Sequence, residues 1–166
     1  HLEPEHMPRY LAALRRFRPA IVHAFPSAVV PLARWLEQHP APDVTGRIRA
    51  VQLFSENVYA HQIALLERVF GCPVLLHYRH SDRAAKAVSR PGDARYFFWP
   101  LYGHVELIDL QGRPVTEPGV LGEIVATGFD NQVMPLIRYK TGDLAMWSER
   151  PNATRPGFPA VDRIEG

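Results

Sequence analysis

The stretch from residue 49 to residue 78, RAVQLFSENVYAHQIALLERVFGCPVLLHY, decides the fold class. Residues 49–54 and 72–78 are mainly apolar runs of the length of a buried strand. Between them, residues 58–70 carry apolar side chains at helical spacing, and Gly71 is the residue type that commonly ends a helix. Two strands joined by one helix predict a βαβ unit in a mainly parallel sheet.

The same alternation of helix and strand precedes this stretch. Residues 7–17 form an amphipathic pattern with arginines on the polar face, which predicts a helix. Residues 20–22 are a short apolar run, which predicts a strand. Residues 28–38 predict a second helix, and Ser27 is the expected N-cap.

The pattern changes after residue 92. Residues 96–99, 104–110, 122–127 and 143–147 predict strands, with no helical periodicity between them. Three Gly-containing turns punctuate them, at residues 111–112, 118–119 and 141–142, and residues 151–159 resemble a loop. We therefore expect an α/β fold with a βαβ parallel-sheet half at residues 1–90. A mainly antiparallel β half, forming a partial barrel, is expected at residues 91–166.

The composition excludes several classes of protein. The 166 residues carry a net charge of +2, and 46% are apolar and 22% charged, as in globular proteins. The basic residues are scattered, which argues against nucleic-acid binding. We find no apolar run as long as a membrane span and no signal sequence. Cys72 is the single cysteine, which excludes an internal disulfide framework and fits a reducing compartment, so we expect a cytoplasmic protein.

A first cluster of polar residues, Tyr78-Arg79-His80-Ser81-Asp82, follows the second strand of the βαβ unit. The carboxyl ends of such strands are where open α/β sheets bind ligands. A ring, a hydroxyl and a carboxylate can stack on a base, contact a phosphate and hold a divalent ion. Two alternatives remain: a plain polar junction, which is the simpler interpretation of these five residues alone, and a transition-metal site using His77, His80, Asp82 and Cys72.

A second cluster lies at residues 134–143, MPLIRYKTGD. Its glycine allows a tight turn that directs the following carboxylate, Asp143, outward. A carboxylate can accept hydrogen bonds from both hydroxyls of a ribose. Thr-Gly-Asp alone is a common turn, but the ten-residue string is rare.

Taken together, these strings resemble the adenylate-forming superfamily, in its phenylacetate–CoA ligase branch. That branch carries Tyr-Gly-x-Ser/Thr-Glu, then Gly-Glu-Ile-Val-x-Thr, then Pro-Leu-Ile-Arg-Tyr-x-Thr-Gly-Asp, which match residues 78–82, 122–127 and 135–143. Capsular polysaccharide biosynthesis members look closest, because their Tyr-Gly-His-Ser-Glu and Thr-Gly-Phe-x-Asn match residues 78–82 and 127–131. The resemblance implies that residues 1–90 form the nucleotide-binding half and that the chain ends at an interdomain hinge.

The resemblance also implies roles for matching residues. Tyr78 would stack on adenine, Ser81 would contact the α-phosphate, Asp82 would help to hold Mg²⁺, and Asp143 would bind the ribose.

Further residues would line the pockets around the nucleotide. Ser55, Glu56 and His77 would form part of the adenine pocket. Pro26 and Ser27, within Phe25-Pro26-Ser27, resemble the Tyr-Pro-Ser of that branch and would lie near the acyl pocket.

The implied reaction joins a carboxylic acid to ATP, with Mg²⁺, to give an acyl-adenylate and pyrophosphate; coenzyme A would then displace AMP. Developing charge on the phosphates requires fixed positive charge. The sequence contains neither the Ser/Thr/Gly-rich phosphate loop nor the lysine-bearing small domain of the family. We therefore expect this segment to be inactive alone, and its uncovered sheet edges favour self-association.

Two positions depart from the family pattern. Arg79 replaces the usual glycine, which would cause strain if the backbone there needs a positive φ or a close approach to AMP. Asp82 replaces the usual glutamate and shortens the reach of the carboxylate. These departures leave an alternative open, namely a ligase-fold protein that binds a nucleotide or a carboxylate without turnover.

Overall fold

The computed structural model describes residues 3–150 and 157–166, which divide into two compact units, His1–Leu75 and Leu76–Gly166. The first unit contains a 3₁₀ turn at Pro4–His6 and four helices. These are α1 (Met7–Phe17), α2 (Pro26–Gln38), α3 (Pro42–Thr45) and α4 (Ala60–Phe70).

The strands of this unit are β1 (Ile21–Ala24), β2 (Ala50–Phe54) and the start of β3 (Val74–Arg79), which are neighbours in that order and parallel. This confirms the predicted βαβ arrangement. Gly71 ends α4 in the left-handed conformation, at φ 63°, as its position in the sequence predicted.

One detail at the start of α2 differs from the prediction. The N-cap of α2 is Phe25, Pro26 is the first helical residue, and Ser27 therefore lies inside the first turn. Proline is favoured at this position because its missing N–H would have no partner in the helix anyway. The predicted cap at Ser27 was wrong because Pro26 starts the helix one residue earlier.

The second unit is mainly antiparallel, as predicted. After β3 it contains β4 (Lys86–Arg90), β5 (Asp93–Phe98), β6 (Gly103–Ile108), β7 (Leu121–Gly128), β8 (Tyr139–Trp147) and β9 (Ala160–Glu165). Their order of pairing is β3-β4-β5-β9-β8-β7-β6. The short strands β4 and β9 were not predicted. Most of the predicted loop at residues 151–159 lies outside the described residues.

Inward-facing side chains from β4 to β9 meet in one apolar cluster. The buried members come from six strands and from the segment before β4, and they are Ala84, Ala85, Ala87, Phe98, Val105, Leu107, Ile124, Ala126, Ala145 and Val161. The many alanines let the strands and the segment before β4 pack closely. This core supports the end of β3, which carries Tyr78, and the strand β8, which carries Asp143.

The predicted turn at Thr141-Gly142 is instead an irregularity within β8. The pairing of β7 with β8 changes register between Glu123 and Val125, opposite this point. Gly142 has φ 82°, and the Thr141 hydroxyl donates a 2.9 Å hydrogen bond to the Ile124 carbonyl. The turn prediction was wrong because a glycine with positive φ suits a bulge as well as a turn.

The units divide at residues 75 and 76, whereas the sequence analysis placed a division at residues 90 and 91. The difference arises because β4 is antiparallel to both β3 and β5, so the end of β3 is compact with the later strands. The assignment of residues 1–90 and 91–166 to separate functional domains stays a prediction. Across the described parts of the chain, no helix is long and apolar enough to cross a membrane.

A buried arginine on β5 binds the segment that follows β8. The Arg95 guanidinium is buried and bonded to the Asp93 carboxylate, with its shortest contact at 2.6 Å, and it donates to the Arg150 carbonyl at 2.7 Å. Hydrogen bonds from Arg95 lower the pKa of Asp93. This lowered pKa stabilises the fold at pH values above the ordinary 3.8, and the stabilisation declines as the pH falls below that value.

We expect Asp93→Ala to lower the free energy of unfolding by about 2–3 kcal/mol, because the buried guanidinium loses charge-assisted hydrogen bonds. Urea denaturation at neutral pH measures this change. Glu117→Ala is the control, since Glu117 is exposed in the same unit and should change stability by less than about 0.5 kcal/mol. Equal stability of the two variants would contradict a role for this pair.

Candidate functional site

Tyr78 lies next to last in β3, where it pairs with Ala87 of β4. Its ring is half-buried and meets Phe98 edge to face, with 6.1 Å between centroids. Its hydroxyl donates a 2.7 Å hydrogen bond to Oδ2 of Asp143, which lies 65 residues later in the chain. The first and second predicted clusters therefore meet in the structure.

Asp143 follows the irregularity in β8. Its backbone N–H donates to the Thr141 hydroxyl at 3.1 Å, which fixes the residue directly after Gly142. His80 Nε2 lies 3.0 Å from Asp143 Oδ2, and the side chains of both residues are less than one fifth exposed. We call Tyr78, His80 and Asp143 the carboxylate cluster.

Tyr78, His80 and Asp143 are in mutual contact through their polar atoms. A phenol has one proton, and Tyr78 donates it to Asp143. His80 Nε2 is also in short contact with the Tyr78 hydroxyl oxygen and lies close to Asp143. The three side chains therefore form one connected polar group.

The environment of Tyr78 also keeps its phenol protonated. Burial raises the pKa of Tyr78 well above its ordinary value of 10, and the hydrogen bond to Asp143 raises this pKa further. Burial raises the pKa of Tyr96, on β5, to about 12. A pKa that is higher in the folded than in the unfolded protein makes folding less favourable as the pH rises above 10.

We expect an alkaline titration followed by tyrosine absorbance to show that three of the six phenols, those of Tyr78, Tyr96 and Tyr139, ionise above their ordinary pKa of 10. Tyr96 should ionise near pH 12, and Tyr78 should ionise later or together with unfolding. Tyr78→Phe should remove the latest step and reduce the loss of stability above pH 10. A wild-type titration that is complete below pH 11 would contradict the burial and bonding of Tyr78.

Asp82 lies in the exposed turn after β3, beside Ser81. Its Oδ2 accepts a 3.0 Å hydrogen bond from the Tyr139 hydroxyl. This bond, followed by the negative charge of Asp82, raises the pKa of Tyr139, and the charge of Asp143 contributes to the same rise. Asp82 and Asp143 therefore both act on Tyr139 and lie in one region of the second unit. Whether they border an AMP-sized hollow stays a prediction.

Close backbone contacts hold the loop that carries Ser81 and Asp82. A Cβ atom at Gly103 would lie 2.5 Å from the Ala84 carbonyl oxygen, and one at Gly128 would lie 3.3 Å from the Arg83 carbonyl oxygen. Arg83 also forms an ion pair with Asp130 at 2.5 Å. The loop thus rests against the ends of β6 and β7.

Arg79 does not have the strained backbone that its replacement of glycine suggested. It is the last residue of β3, paired with Lys86 and exposed, and it is not among the residues with positive φ. The left-handed residue of this region is Arg83, with φ 61°. The backbone at Arg79 therefore does not need a positive φ, because β3 continues through this position.

The remaining predicted residues are placed as follows. His77 lies on β3 opposite Val88, in the second unit. Pro26, Ser27, Ser55 and Glu56 lie in the first unit.

Glu56 and Ser27 bind each other directly. The Ser27 backbone N–H donates to Glu56 Oε2 at 2.8 Å, and its hydroxyl donates to Oε1 at 2.6 Å. Glu56 therefore supplies a negative charge and an acceptor at the N-terminus of α2. Pro26 is buried, and Ser55, directly after β2, has φ 61°. Sequence reasoning assigned these residues to two pockets, and it missed the bond that joins Ser27 to Glu56.

Two residues of the site were not assigned roles from the sequence. His80 was considered only as a metal ligand, and Tyr139 was only part of the matched string. Each residue lies within one of the strings that match the family, which marked its position as important. Its bonding partner could not be read from the sequence, because the partner is distant along the chain. Within the described residues, no group of three or more His, Cys, Asp or Glu side chains is placed to hold a metal ion.

One surface groove of the first unit is separate from these residues. It is lined by the end of α2, residues 40–42, α3 and α4, and it includes Leu36, Pro40, Thr45 and Val69. None of the predicted site residues contributes to it. The groove therefore gives no support to the site assignments.

Comparison with known proteins supports the fold. No family model matches the chain, and no curated protein matches it. Solved structures do match. A 2-hydroxyisobutyryl-CoA ligase in complex with 2-HIB-AMP and CoA, in the thioesterification state, has a TM-score of 0.80 at 18% identity, over 100% of this chain and 36% of that one.

Two further solved structures are similar. A benzoate CoA ligase from Burkholderia xenovorans LB400 has a TM-score of 0.66 at 18% identity, over 93% of this chain and 33% of that one. CmiS6 has a TM-score of 0.64 at 19% identity, over 96% of this chain and 43% of that one. This chain thus spans between a third and a half of the length of these structures. At such low identities the matches show that the chain has the fold of part of a CoA ligase.

Proposed function

We propose that this chain forms the adenosine-binding part of an ATP-dependent, AMP-forming acid–thiol ligase. The observation that carries the proposal is the meeting of Tyr78 and Asp143, because the resemblance assigned both residues to the same nucleotide. The fold of the solved CoA ligases supports it independently of these residues. We further propose the phenylacetate–CoA ligase branch, on the three matched strings at residues 78–82, 122–127 and 135–143.

In this proposal Asp143 accepts a hydrogen bond from the ribose, and the ring of Tyr78 stacks on adenine. A charge-assisted hydrogen bond of this kind contributes about 1.5–3 kcal/mol, and stacking of a base on an aromatic ring contributes about 1–3 kcal/mol. Ser81, in the exposed turn after β3, would contact the α-phosphate. Ser55, Glu56 and His77 would line the adenine pocket, and Pro26 and Ser27 would lie near the acyl group.

The region of Asp82 fits a magnesium ion. Mg²⁺ prefers oxygen ligands and commonly takes one or two carboxylates together with substrate phosphates. Asp82 is exposed, and Tyr139 holds one oxygen of its carboxylate. When bound, the ion would neutralise phosphate charge, while Tyr139 would orient the carboxylate that holds it.

The proposed substrates are ATP, a carboxylic acid and coenzyme A. The carboxylate would attack the α-phosphorus of ATP and release pyrophosphate, and the thiol of coenzyme A would then displace AMP from the acyl group. The residues of this chain would bind and orient the nucleotide in both steps. Residues outside this chain would complete the site, and a cytoplasmic location is part of the same proposal.

Pyrophosphate exchange tests the proposal. The full translated product of the gene is supplied with ATP, Mg²⁺, labelled pyrophosphate and a panel of aryl and acyl carboxylic acids. Exchange that depends on one class of acid supports the ligase. AMP binding without exchange for any acid would instead support a protein that binds its ligand without turnover.

Asp82 favours this second candidate, a ligase-fold protein without turnover. Its carboxylate is shorter than the usual glutamate by one C–C bond, about 1.5 Å, so direct contact with the metal is weaker. Arg79 adds an exposed cation beside the site, although its backbone is unstrained. The variants Asp82→Glu and Arg79→Gly test this second candidate. A gain of acid-dependent pyrophosphate exchange in either variant would identify the residue that blocks turnover.

A further inference from the structure

Three residues form a row across the ends of β3, β4 and β5. Arg79 pairs with Lys86, and the Trp99 backbone N–H donates a 2.9 Å hydrogen bond to the Lys86 carbonyl. Residues that lie opposite each other on neighbouring strands point to the same face of a sheet. The Lys86 ammonium accordingly lies 5.6 Å from the centroid of the Trp99 ring. We call Arg79, Lys86 and Trp99 the cationic row.

The cationic row lies on the face of the sheet opposite to the ring of Tyr78. Successive residues of a strand point to opposite faces. Each member of the row is next in sequence to a residue of the apolar cluster or to one packed against it, namely Tyr78, Ala87 and Phe98. A ligand bound at the row is therefore separate from the adenosine proposed at Tyr78 and Asp143.

The charges of Arg79 and Lys86 have no carboxylate partner. Elsewhere in the second unit, exposed cations form ion pairs, as Arg113 does with Asp109 at 2.7 Å. Among the residues that the structure describes, no carboxylate lies within 4.0 Å of the charged groups of Arg79 and Lys86. Lys86 has aromatic neighbours instead, since its ammonium lies 6.0 Å from the centroid of Tyr102 as well as near Trp99. Two adjacent cations without a neutralising group attract an anion.

We propose that the cationic row binds the phosphorylated adenosine end of coenzyme A, with Arg79 and Lys86 on the 3′-phosphate and Trp99 on the adenine. This inference rests on the proposed function, in which coenzyme A is the second phosphorylated adenosine compound besides ATP. A phosphate monoester carries a charge of about −1.5 to −2 at neutral pH, which two cations balance. Arg79 can contact two phosphate oxygens at once, and Lys86 supplies a point charge. Trp99 is 39% exposed, which leaves indole surface for a base.

Comparison of coenzyme A with dephospho-coenzyme A, which lacks only the 3′-phosphate, tests the phosphate contact. Both compounds are titrated by calorimetry into the full translated product in an excess of AMP, so that they do not occupy the proposed adenosine site. We expect coenzyme A to bind at least about fivefold more tightly than dephospho-coenzyme A, because the phosphate forms charge-assisted hydrogen bonds. A smaller preference would overturn the inference.

Variants connect this preference to the cationic row. Arg79→Ala and Lys86→Gln should each reduce the preference for coenzyme A severalfold, because each removes one cation from the phosphate. Arg113→Ala is the matched control, since it removes another exposed cation of the second unit, and it should preserve the preference. An equal reduction in Arg113→Ala would indicate general electrostatic attraction and would overturn the inference. Trp99→Leu should weaken both ligands by the same factor, and unchanged affinities in this variant would overturn the adenine contact.

Two adenosine bisphosphates identify the source of the phosphate. Adenosine 3′,5′-bisphosphate reproduces the end of coenzyme A, whereas ADP carries a terminal phosphate on the 5′ chain, as ATP does. In an excess of AMP, we expect the 3′,5′-bisphosphate to bind more tightly than ADP. The reverse order would assign the cationic row to the phosphates of ATP and would overturn the inference.

A separate titration with AMP alone distinguishes failure of this inference from failure of the proposed function. If AMP binds and coenzyme A shows no preference over dephospho-coenzyme A, the inference alone fails. If AMP does not bind but the preference is present and depends on Arg79, the proposed adenosine site fails, while the assignment of the cationic row is supported.

Discussion

Replacement of Asp143 by alanine is expected to abolish detectable AMP binding. The variant loses the carboxylate that would accept a ribose hydroxyl, which alone corresponds to a tenfold to hundredfold decrease in affinity. It also removes the acceptor of the Tyr78 hydroxyl, at 2.7 Å, and the neighbour of His80, at 3.0 Å. Because Tyr78 is the proposed stacking platform, its release weakens the adenine contact as well. Calorimetric titration with AMP measures the loss.

Two further variants make this result specific. Asp162→Ala removes an exposed carboxylate on β9 that bonds Ser148, and it should leave AMP affinity within about twofold of the wild type. Asp143→Asn keeps the shape and one carbonyl oxygen, so it should retain weak binding. Unchanged affinity in Asp143→Ala would remove the ribose assignment, and equal losses in Asp143→Ala and Asp162→Ala would point to general destabilisation.

The parts of the fold that could be predicted are those with local signals. Residues 58–70 carry helical periodicity and a terminal Gly71, so α4 was predicted to within two residues of its start and at its end. In contrast, β4 is five residues long and reads KAVSR, with two buried side chains. Its identity as a strand comes from pairing with β3 and β5, which no local pattern contains. Gly142 is a second example: a glycine in the sequence indicates that a positive φ is possible, but it does not show whether that residue lies in a turn or in an irregular strand.

In the candidate site, too, some residues could be predicted from the sequence and others could not. The matched strings predicted that Tyr78 and Asp143 act on one ligand, and the structure brings these residues into contact. The hydrogen bond between them spans 65 residues, and the identity of the atoms involved depends on the register of β8. The additional bond of His80 to this pair could not be derived from its spacing. The pairing of Ser27 with Glu56 was missed because Ser27 was expected to cap its own helix.

Gly103→Ala is expected to destabilise the second unit and to weaken nucleotide binding together. A Cβ atom at this position would lie 2.5 Å from the Ala84 carbonyl oxygen and 2.7 Å from the Thr127 carbonyl oxygen. Both are backbone atoms held in place by neighbouring segments, so a rotamer change cannot relieve the contact. Overpacking of this kind costs about 1–3 kcal/mol, and two simultaneous backbone contacts place Gly103→Ala near the upper end of that range. Urea denaturation measures the change in stability.

Gly157→Ala provides the matched control, because a Cβ atom there would have no neighbour within 4 Å among the residues that the structure describes. It should change stability by less than about 0.5 kcal/mol. In Gly103→Ala the Ala84 backbone has to move, and the preceding loop with Ser81 and Asp82 moves with it. AMP affinity should therefore fall under conditions where the variant is still folded. Stability close to that of Gly157→Ala would show that the loop does not rest on β6, and lost stability with unchanged AMP affinity would show that the loop does not hold the nucleotide.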